Sequence, residues 1–305
     1  MNKMNFLLAT NAKLGPILPF VLSSIYDNQP AASVYLYYSA LAEEDLKKIS
    51  SVAKTFNGEL NLIHFDIKQI LDQQGLKDIP AWFGSYDAYT RIFAIQDLYE
   101  KGIDKCIYVD CDVMILKPLD ELFSIYSRTD AIAGVLDVMP DTNKFKTPYY
   151  LNSGVMIFAL DYCRKIKFPD KCVAFLKDYA DQSGFMDQDA INNAIKDTVP
   201  ICLDPKFNNL LRDFEHVENA VIMHYAGPKP WDFWRKWDHS KFVYYKLKLY
   251  YYLKSKGCNI SKETLTRLFK VLEFVLHPLV LLLNWVHDVN FKRRMRRKAR
   301  RNAKK

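Results

Sequence analysis

An α/β fold on a largely parallel sheet is what the sequence predicts, and three observations predict it. Short apolar runs alternate with amphipathic ones from the N-terminus onward; half of the 305 residues are hydrophobic; and 10 glycines and 13 prolines are scattered along the chain without a repeat. The alternation is the pattern of β-α-β units. Length and apolar content together provide a sizeable core, while the lack of a repeat or low-complexity body argues against a solenoid or a disordered polymer.

Residues 5–10 read as a buried strand, Asn11 to Gly15 as a turn and 17–26 as a helix. ASVYLYYSA (32–40) is a second strand, and in the AEEDLKKISSVAKTF that follows, Leu46, Ile49, Val52 and Ala53 fall at helical spacing. LNLIHFDI makes a third strand. SYDAYTRIFAIQDLYEKG reads as a helix with Ser85 as its N-cap and Gly102 as its stop. The strand KCIYVDCDVMI (105–115) comes next, and further strands are expected at 131–136, 150–160 and 220–226.

Beyond about residue 235 the texture changes, and the boundary is expected near residue 240, giving a body over 1–240 and a helical appendage over 241–305. Aromatic and basic residues crowd 231–252, TLTRLFKVLEFVLHPLVLLLNWV is strongly apolar, and the last fifteen residues hold ten Lys or Arg and no acid. The formal charge of +8 is therefore a property of the tail, since removing those ten leaves −2. A near-neutral body offers no groove for nucleic acid, and none is expected as a partner. Lys270, Glu273, His277 and Pro278 interrupt the apolar segment. It reads as a helix lying in an anionic membrane surface rather than one crossing it. Six cysteines without CxxC or zinc-finger spacing suit a reducing compartment. Asn11 and Lys13 break the apolar stretch that a cleaved signal would need. The expected location is cytoplasmic, peripheral to the inner face of the membrane.

The chemistry centres on Asp110 and Asp112. In a strand, residues i and i+2 share a face, so both carboxylates are expected to aim at one point with Cys111 turned away. Such a pair is tolerable with a cation between them; hard oxygen ligands suit Mg²⁺ or Mn²⁺, ions that also bridge to phosphate. A lone DxD is equally a solvated turn. His224, ending the apolar run VIMH, is followed by Gly227 and Lys229. An imidazole beside two carboxylates favours Mn²⁺, glycine lets backbone approach an anion, and lysine brings positive charge to a phosphate. Asn152 and Ser153 offer short polar groups at the start of a strand. Asp187 or Asp189 can cap the helix after FMDQDA, but capping gives no reason for Gln188.

LATN, YVDCDVMILKPLDELF, LNSGVMIF, MDQDAINNAI and MHYAGPKPW, in that order over about residues 5–235, resemble glycosyltransferase family 8. The resemblance implies a GT-A fold with a mixed central sheet, a UDP-sugar donor (UDP-glucose or UDP-galactose), Mn²⁺, and transfer with retention of anomeric configuration. It implies Asp110, Asp112 and His224 as metal ligands, and Ala9, Thr10, Asn11 and Cys111 beside the nucleoside. It also implies Arg91 at the diphosphate, and Asn152, Ser153, Asp187 and Gln188 around the donor sugar, with Gln188 near the reacting face. Gly227 and Lys229 would clamp the pyrophosphate, Lys229 stabilising the leaving group. The family's first turn often reads Asn-Asp-x-Tyr, whereas here Asn11-Ala12-Lys13-Leu14 offers no aromatic face to a base. The expected acceptor is a saccharide, lipopolysaccharide core or another glycolipid. Rival readings are a metal-dependent nucleotidyl- or phosphotransferase and a non-catalytic, membrane-docked carbohydrate-binding protein.

Overall fold

Every residue of Met4–Thr10 (β1) is buried, as a strand sandwiched on both faces must be. Its side chains alternate between two core layers: Met4, Phe6 and Leu8 enter one, and Leu7 and Ala9 the other. The computed structural model describes residues 3–81, 85–137, 144–210, 218–227, 229–232, 239–258 and 260–302. Of the stretch and motif singled out above, Pro228, residues 233–238 and the tail end 303–305 lie outside the described residues. The chain forms two compact units, Met1–His224 and Tyr225–Lys305.

In the first unit the order after β1 is α1 (Leu18–Asn28), β2 (Ala32–Tyr38), α2 (Glu43–Thr55), β3 (Glu59–His64), α3 (Ile67–Gln73), α4 (Thr90–Glu100), β4 (Lys105–Val109) and β5 (Val113–Ile115). Then follow α5 (Asp120–Arg128), β6 (Ile132–Leu136), β7 (Leu151–Ala159), α6 (Leu160–Lys165), α7 (Phe168–Tyr179), α8 (Asp187–Ala194), β8 (Ile201–Cys202), β9 (Asn209–Leu210) and β10 (Ile222–His224). The main sheet runs β3-β2-β1-β4-β7-β6-β8 and a small one β5-β10-β9. Strands β3, β2, β1 and β4 are parallel; β7 is antiparallel to both β4 and β6. The sheet is thus mixed, as a GT-A fold requires. The order reverses between β1 and β4, and ligand crevices in open α/β sheets lie at such a switch, outside the carboxyl ends of the strands.

Two expectations are corrected. KCIYVDCDVMI is not one strand: β4 ends at Val109 in the main sheet, the amide of Val113 bonds back to the Asp110 carbonyl at 3.3 Å, and β5 pairs with β10 in the small sheet. Asp110 and Asp112 therefore sit in the turn between two sheets, and that turn, not strand alternation, aligns them. Ser85 does not cap α4, whose flanking Tyr89 makes no side-chain cap; Ser85 Oγ instead accepts the amide of Asp87 at the start of a 3₁₀ turn, Asp87–Tyr89. Gly102 ends the helix as expected, with φ +77°.

The second unit contains α9 (His239–Ser255) and α10 (Lys262–Asn302). Lys246 Nζ on α9 lies 3.2 Å from Thr266 Oγ1 on α10. Over Lys262–Asp288, α10 is long and apolar enough to cross a membrane by length and composition. Phe274 and Trp285 are 83% and 63% exposed, and Val271, Leu279, Leu281 and Leu282 are also open.

Candidate active site

Each wall of the site is the end of an element whose body is core. On α4, Arg91 lies on the face carrying Ile95 and Leu98 at i+4 and i+7, all three buried, so packing of the helix drives the guanidinium inward at its first turn. Its Nη2 bonds Asp110 Oδ1 at 2.8 Å, Nη1 donates to the Ser153 carbonyl at 2.5 Å, and Nε lies 3.2 Å from Asp187 Oδ2. The guanidinium also stacks 4.1 Å from the ring centroid of Tyr108, whose hydroxyl donates to Asp110 Oδ1 at 2.6 Å. Burial opposes the Arg91 charge, but Asp110, Tyr108, Asp187 and Asp112 outweigh it and hold the group firmly protonated. Burial pushes Asp187 up to about 6, with Arg91 pulling it down and Asp110 pushing it further.

Strand β10 sets His224 opposite Val113 of β5. Its Nε2 then lies 3.3 Å from Asp112 Oδ1 and 3.6 Å from Asp110 Oδ2. One ligand atom from each of Asp110, Asp112 and His224 falls within 4.8 Å of the others. Gly154 makes room for this. A Cβ there would stand 2.1 Å from His224 Cε1 and 3.0 Å from Asp110 Oδ2, so only glycine fits beside the cluster. Two carboxylate oxygens and an imidazole, with the buried Arg91 on the other oxygen of Asp110, fit a divalent cation.

Asp110 is also tied to β7, its amide donating to the Gly154 carbonyl at 2.8 Å. The same strand delivers Asn152 and Ser153, and α8 is stitched to it by Asn192, whose amide group accepts from Leu151 N at 2.6 Å and donates to Leu151 O at 2.8 Å. Four residues earlier on α8, one helical turn, Gln188 Oε1 accepts from Ser153 N at 3.0 Å while its Nε2 lies 3.3 Å from Asp137 Oδ2. Met186, the residue before α8, has φ +45°, a left-handed backbone at a non-glycine residue that marks strain beside Asp187. Neither Asp187 nor Asp189 caps α8. Asp189 accepts from Phe185 N at 2.9 Å, Ser183 Oγ at 2.6 Å and Tyr150 OH at 2.6 Å, tying down the preceding loop.

The first unit thus brings together Arg91, Asp110, Asp112, Asn152, Ser153, Asp187, Gln188 and His224. Ala9 and Thr10 end β1 at the switch point and Asn11 follows, yet Asn11 is engaged internally: Nδ2 donates to Ser85 Oγ at 2.8 Å and Asp87 Oδ2 at 2.9 Å, and Oδ1 accepts from Lys13 N at 2.9 Å. Cys111 is buried with its Sγ 3.2 Å from the Ala9 carbonyl, so its side chain faces the core. Leu14 packs on the core layer beside α1. Gly227 and Lys229 belong to the second unit, where Gly227 has φ +96° and Lys229 Nζ donates to the Tyr225 carbonyl at 2.9 Å. The sequence reading missed Asp137, Asn208, Asn192 and Gly154. Asp137 directly follows the expected strand 131–136, the same position relative to β6 that Asp110 holds relative to β4, and that parallel could have found it.

Residues 9–235 match the family model "Glycosyl transferase family 8". Among curated relatives, General stress protein A of Bacillus subtilis is 28% identical over 169 residues, 48% of this chain and 59% of that protein. Lipopolysaccharide 1,3-galactosyltransferase of Salmonella typhimurium is 22% identical over 263 residues, 78% of this chain and 73% of that one. Among solved structures, galactosyltransferase LgtC in complex with donor and acceptor sugar analogs shares the fold with a TM-score of 0.62 at 18% identity, covering 85% of this chain and 97% of that one.

Proposed function

This chain belongs to glycosyltransferase family 8, and from that premise we propose that it moves glucose or galactose from a UDP-sugar to a saccharide acceptor, lipopolysaccharide core or another cell-surface glycolipid, with retention of configuration. The observation that carries the reading is the Asp110–Asp112–His224 cluster at the switch between β1 and β4, with Arg91, Asp187 and Gln188 around it. Mn²⁺ fits this mixed oxygen and nitrogen donor set. Bound there, the ion supplies positive charge to a leaving diphosphate. Arg91 holds Asp110 in register for it, and Lys229 is assigned the role of a second positive charge on the departing UDP.

Gln188 is tied at both ends of its amide and is a poor nucleophile in any case. Asp187 is held against Arg91. Both features support attack by the acceptor on the face the UDP leaves from, with the leaving phosphate taking the acceptor proton, over a covalent glycosyl-enzyme. A sugar found covalently attached to Asp187 during turnover would contradict this.

We further propose a catalytic domain over 1–240 and an appendage over 241–305 that docks on the anionic inner face of the membrane. On α10, Thr266, Lys270, Glu273, His277, Asn284 and Asp288 recur at three- and four-residue steps and their multiples, and so line one side of the helix. That stripe meets α9 at Thr266, and burial together with Lys270 lowers Lys246 on α9. Phe274, Leu279, Leu281 and Trp285 face outward beside a cationic tail, an arrangement suited to lying in the interface rather than crossing it. The test of the activity is release of UDP from UDP-glucose and UDP-galactose with and without Mn²⁺. Release of pyrophosphate instead would favour a nucleotidyltransferase.

A further inference from the structure

The amide side chains behind His224 form a hydrogen-bonded row whose polarity is forced link by link. The backbone N–H of Gly154 can only donate, and it meets Asn152 Oδ1 at 3.0 Å, so that atom is the carbonyl oxygen of Asn152. The other side of the same amide, Asn152 Nδ2, donates to Asp137 Oδ2 at 3.1 Å, which agrees with that assignment. Asn208 approaches Asn152 Oδ1 at 2.8 Å, and an oxygen that only accepts obliges Asn208 to present its NH₂ group there. Asn208 Oδ1 must then face the opposite way. It lies 2.9 Å from His224 Nδ1, and a carbonyl oxygen can only accept. The proton must therefore sit on Nδ1, which makes Nε2, the nitrogen aimed at Asp110 and Asp112, the one that can give a lone pair to an ion. Asn208 is 1% exposed and His224 4%, so water does not compete for these bonds.

We propose that Asn208 is a positioning residue for divalent-metal binding, fixing His224 as the Nδ1–H tautomer so that Nε2 is held ready for the ion. The proposal rests on reading Asp110, Asp112 and His224 as the metal centre. A histidine kept only for packing has no need of one tautomer, and a row with the opposite polarity would place a proton where the ion binds. The remote end of the row also accepts from Gln188, since Asp137 Oδ2 lies 3.3 Å from Gln188 Nε2. One carboxylate thus orients both the amide chain leading to the metal ligand and the glutamine beside the sugar pocket.

The test uses the full chain labelled with ¹⁵N-histidine and stripped of metal. Long-range ¹H–¹⁵N spectra are expected to show a proton on Nδ1 of His224; a neutral ring with its proton on Nε2 and none on Nδ1 would overturn the proposal, with no mutant required. Mn²⁺ affinity, read without donor by paramagnetic resonance of the free ion, is expected to fall about 10- to 100-fold in Asn208→Leu. Wild-type affinity in a folded Asn208→Leu would overturn the proposal. Failure of the metal-centre reading looks different: wild-type protein would then bind no Mn²⁺, whereas failure of this proposal alone leaves Mn²⁺ binding that Asp112→Ala abolishes and Asn208→Leu does not.

Discussion

Gly154 shows most directly how a single residue sets the chemistry. Its missing side chain is the space His224 occupies, with 2.1 Å between a would-be Cβ and the ring. Gly154→Ala is expected to displace the imidazole, costing about 1–3 kcal/mol of stability from overpacking. Mn²⁺ affinity should fall by at least about tenfold, measured by metal titration of the donor-free protein. Asp187 makes a prediction of the opposite kind, in pH. Burial raises it from 3.8 in the unfolded chain to about 6. Between those values the folded protein keeps a proton the unfolded chain has lost, so the contribution to stability is full at low pH and is lost as pH rises through about 6. Asp187→Asn should therefore gain on wild type as pH rises from about 4 to about 6 and hold that gain above, in urea denaturation of the metal-free protein. A difference independent of pH would contradict this. The residues that carry these effects differ in how visible they were. Asp110, Asp112, Gln188 and His224 stand out in the sequence because each sits in an ordered motif, and Arg91 because it resembles the family's helix arginine, whereas Gly154 matters only through what packs against it, and no local pattern records that.

Among the elements, long periodic ones were readable and short ones defined by partners were not. β1, β2, α2 and the body of α4 carry their own apolar periodicity, and the structure has them within a few residues of expectation. β5, with three residues, and β9, with two, exist only because β10 pairs with them. From sequence, β5 is indistinguishable from a continuation of β4. That ambiguity hid the turn that holds the two aspartates. The beginning of α8 was misread for a related reason: Asp187 and Asp189 look like caps, but one pairs with Arg91 and the other with the loop before the helix. The stitch between α8 and β7 is then the element-scale device that places Gln188. Asn192→Ala leaves both polar groups of Leu151 short of a buried partner, at about 1–3 kcal/mol each. It is expected to lower the thermal midpoint and to reduce turnover more than Mn²⁺ affinity, because Gln188 moves while the metal ligands stay. Equal losses of both would show that the stitch serves the whole site.

At the scale of the whole molecule, composition separated a near-neutral body from a cationic, apolar end. It could not say whether the apolar helix is buried. The exposed faces of Phe274, Leu281 and Trp285 on α10 support membrane docking. Replacing Phe274 and Leu281 by glutamate should abolish sedimentation with anionic vesicles and leave UDP release from a soluble donor unchanged; continued sedimentation would contradict the docking role. The donor site is central to the proposed activity, and its direct measurement is UDP release from UDP-glucose and UDP-galactose, with and without Mn²⁺, in wild type and Asp112→Ala. Metal-dependent release that disappears in the variant is the predicted result. Release that ignores both the metal and Asp112, or no release from either sugar, would contradict it.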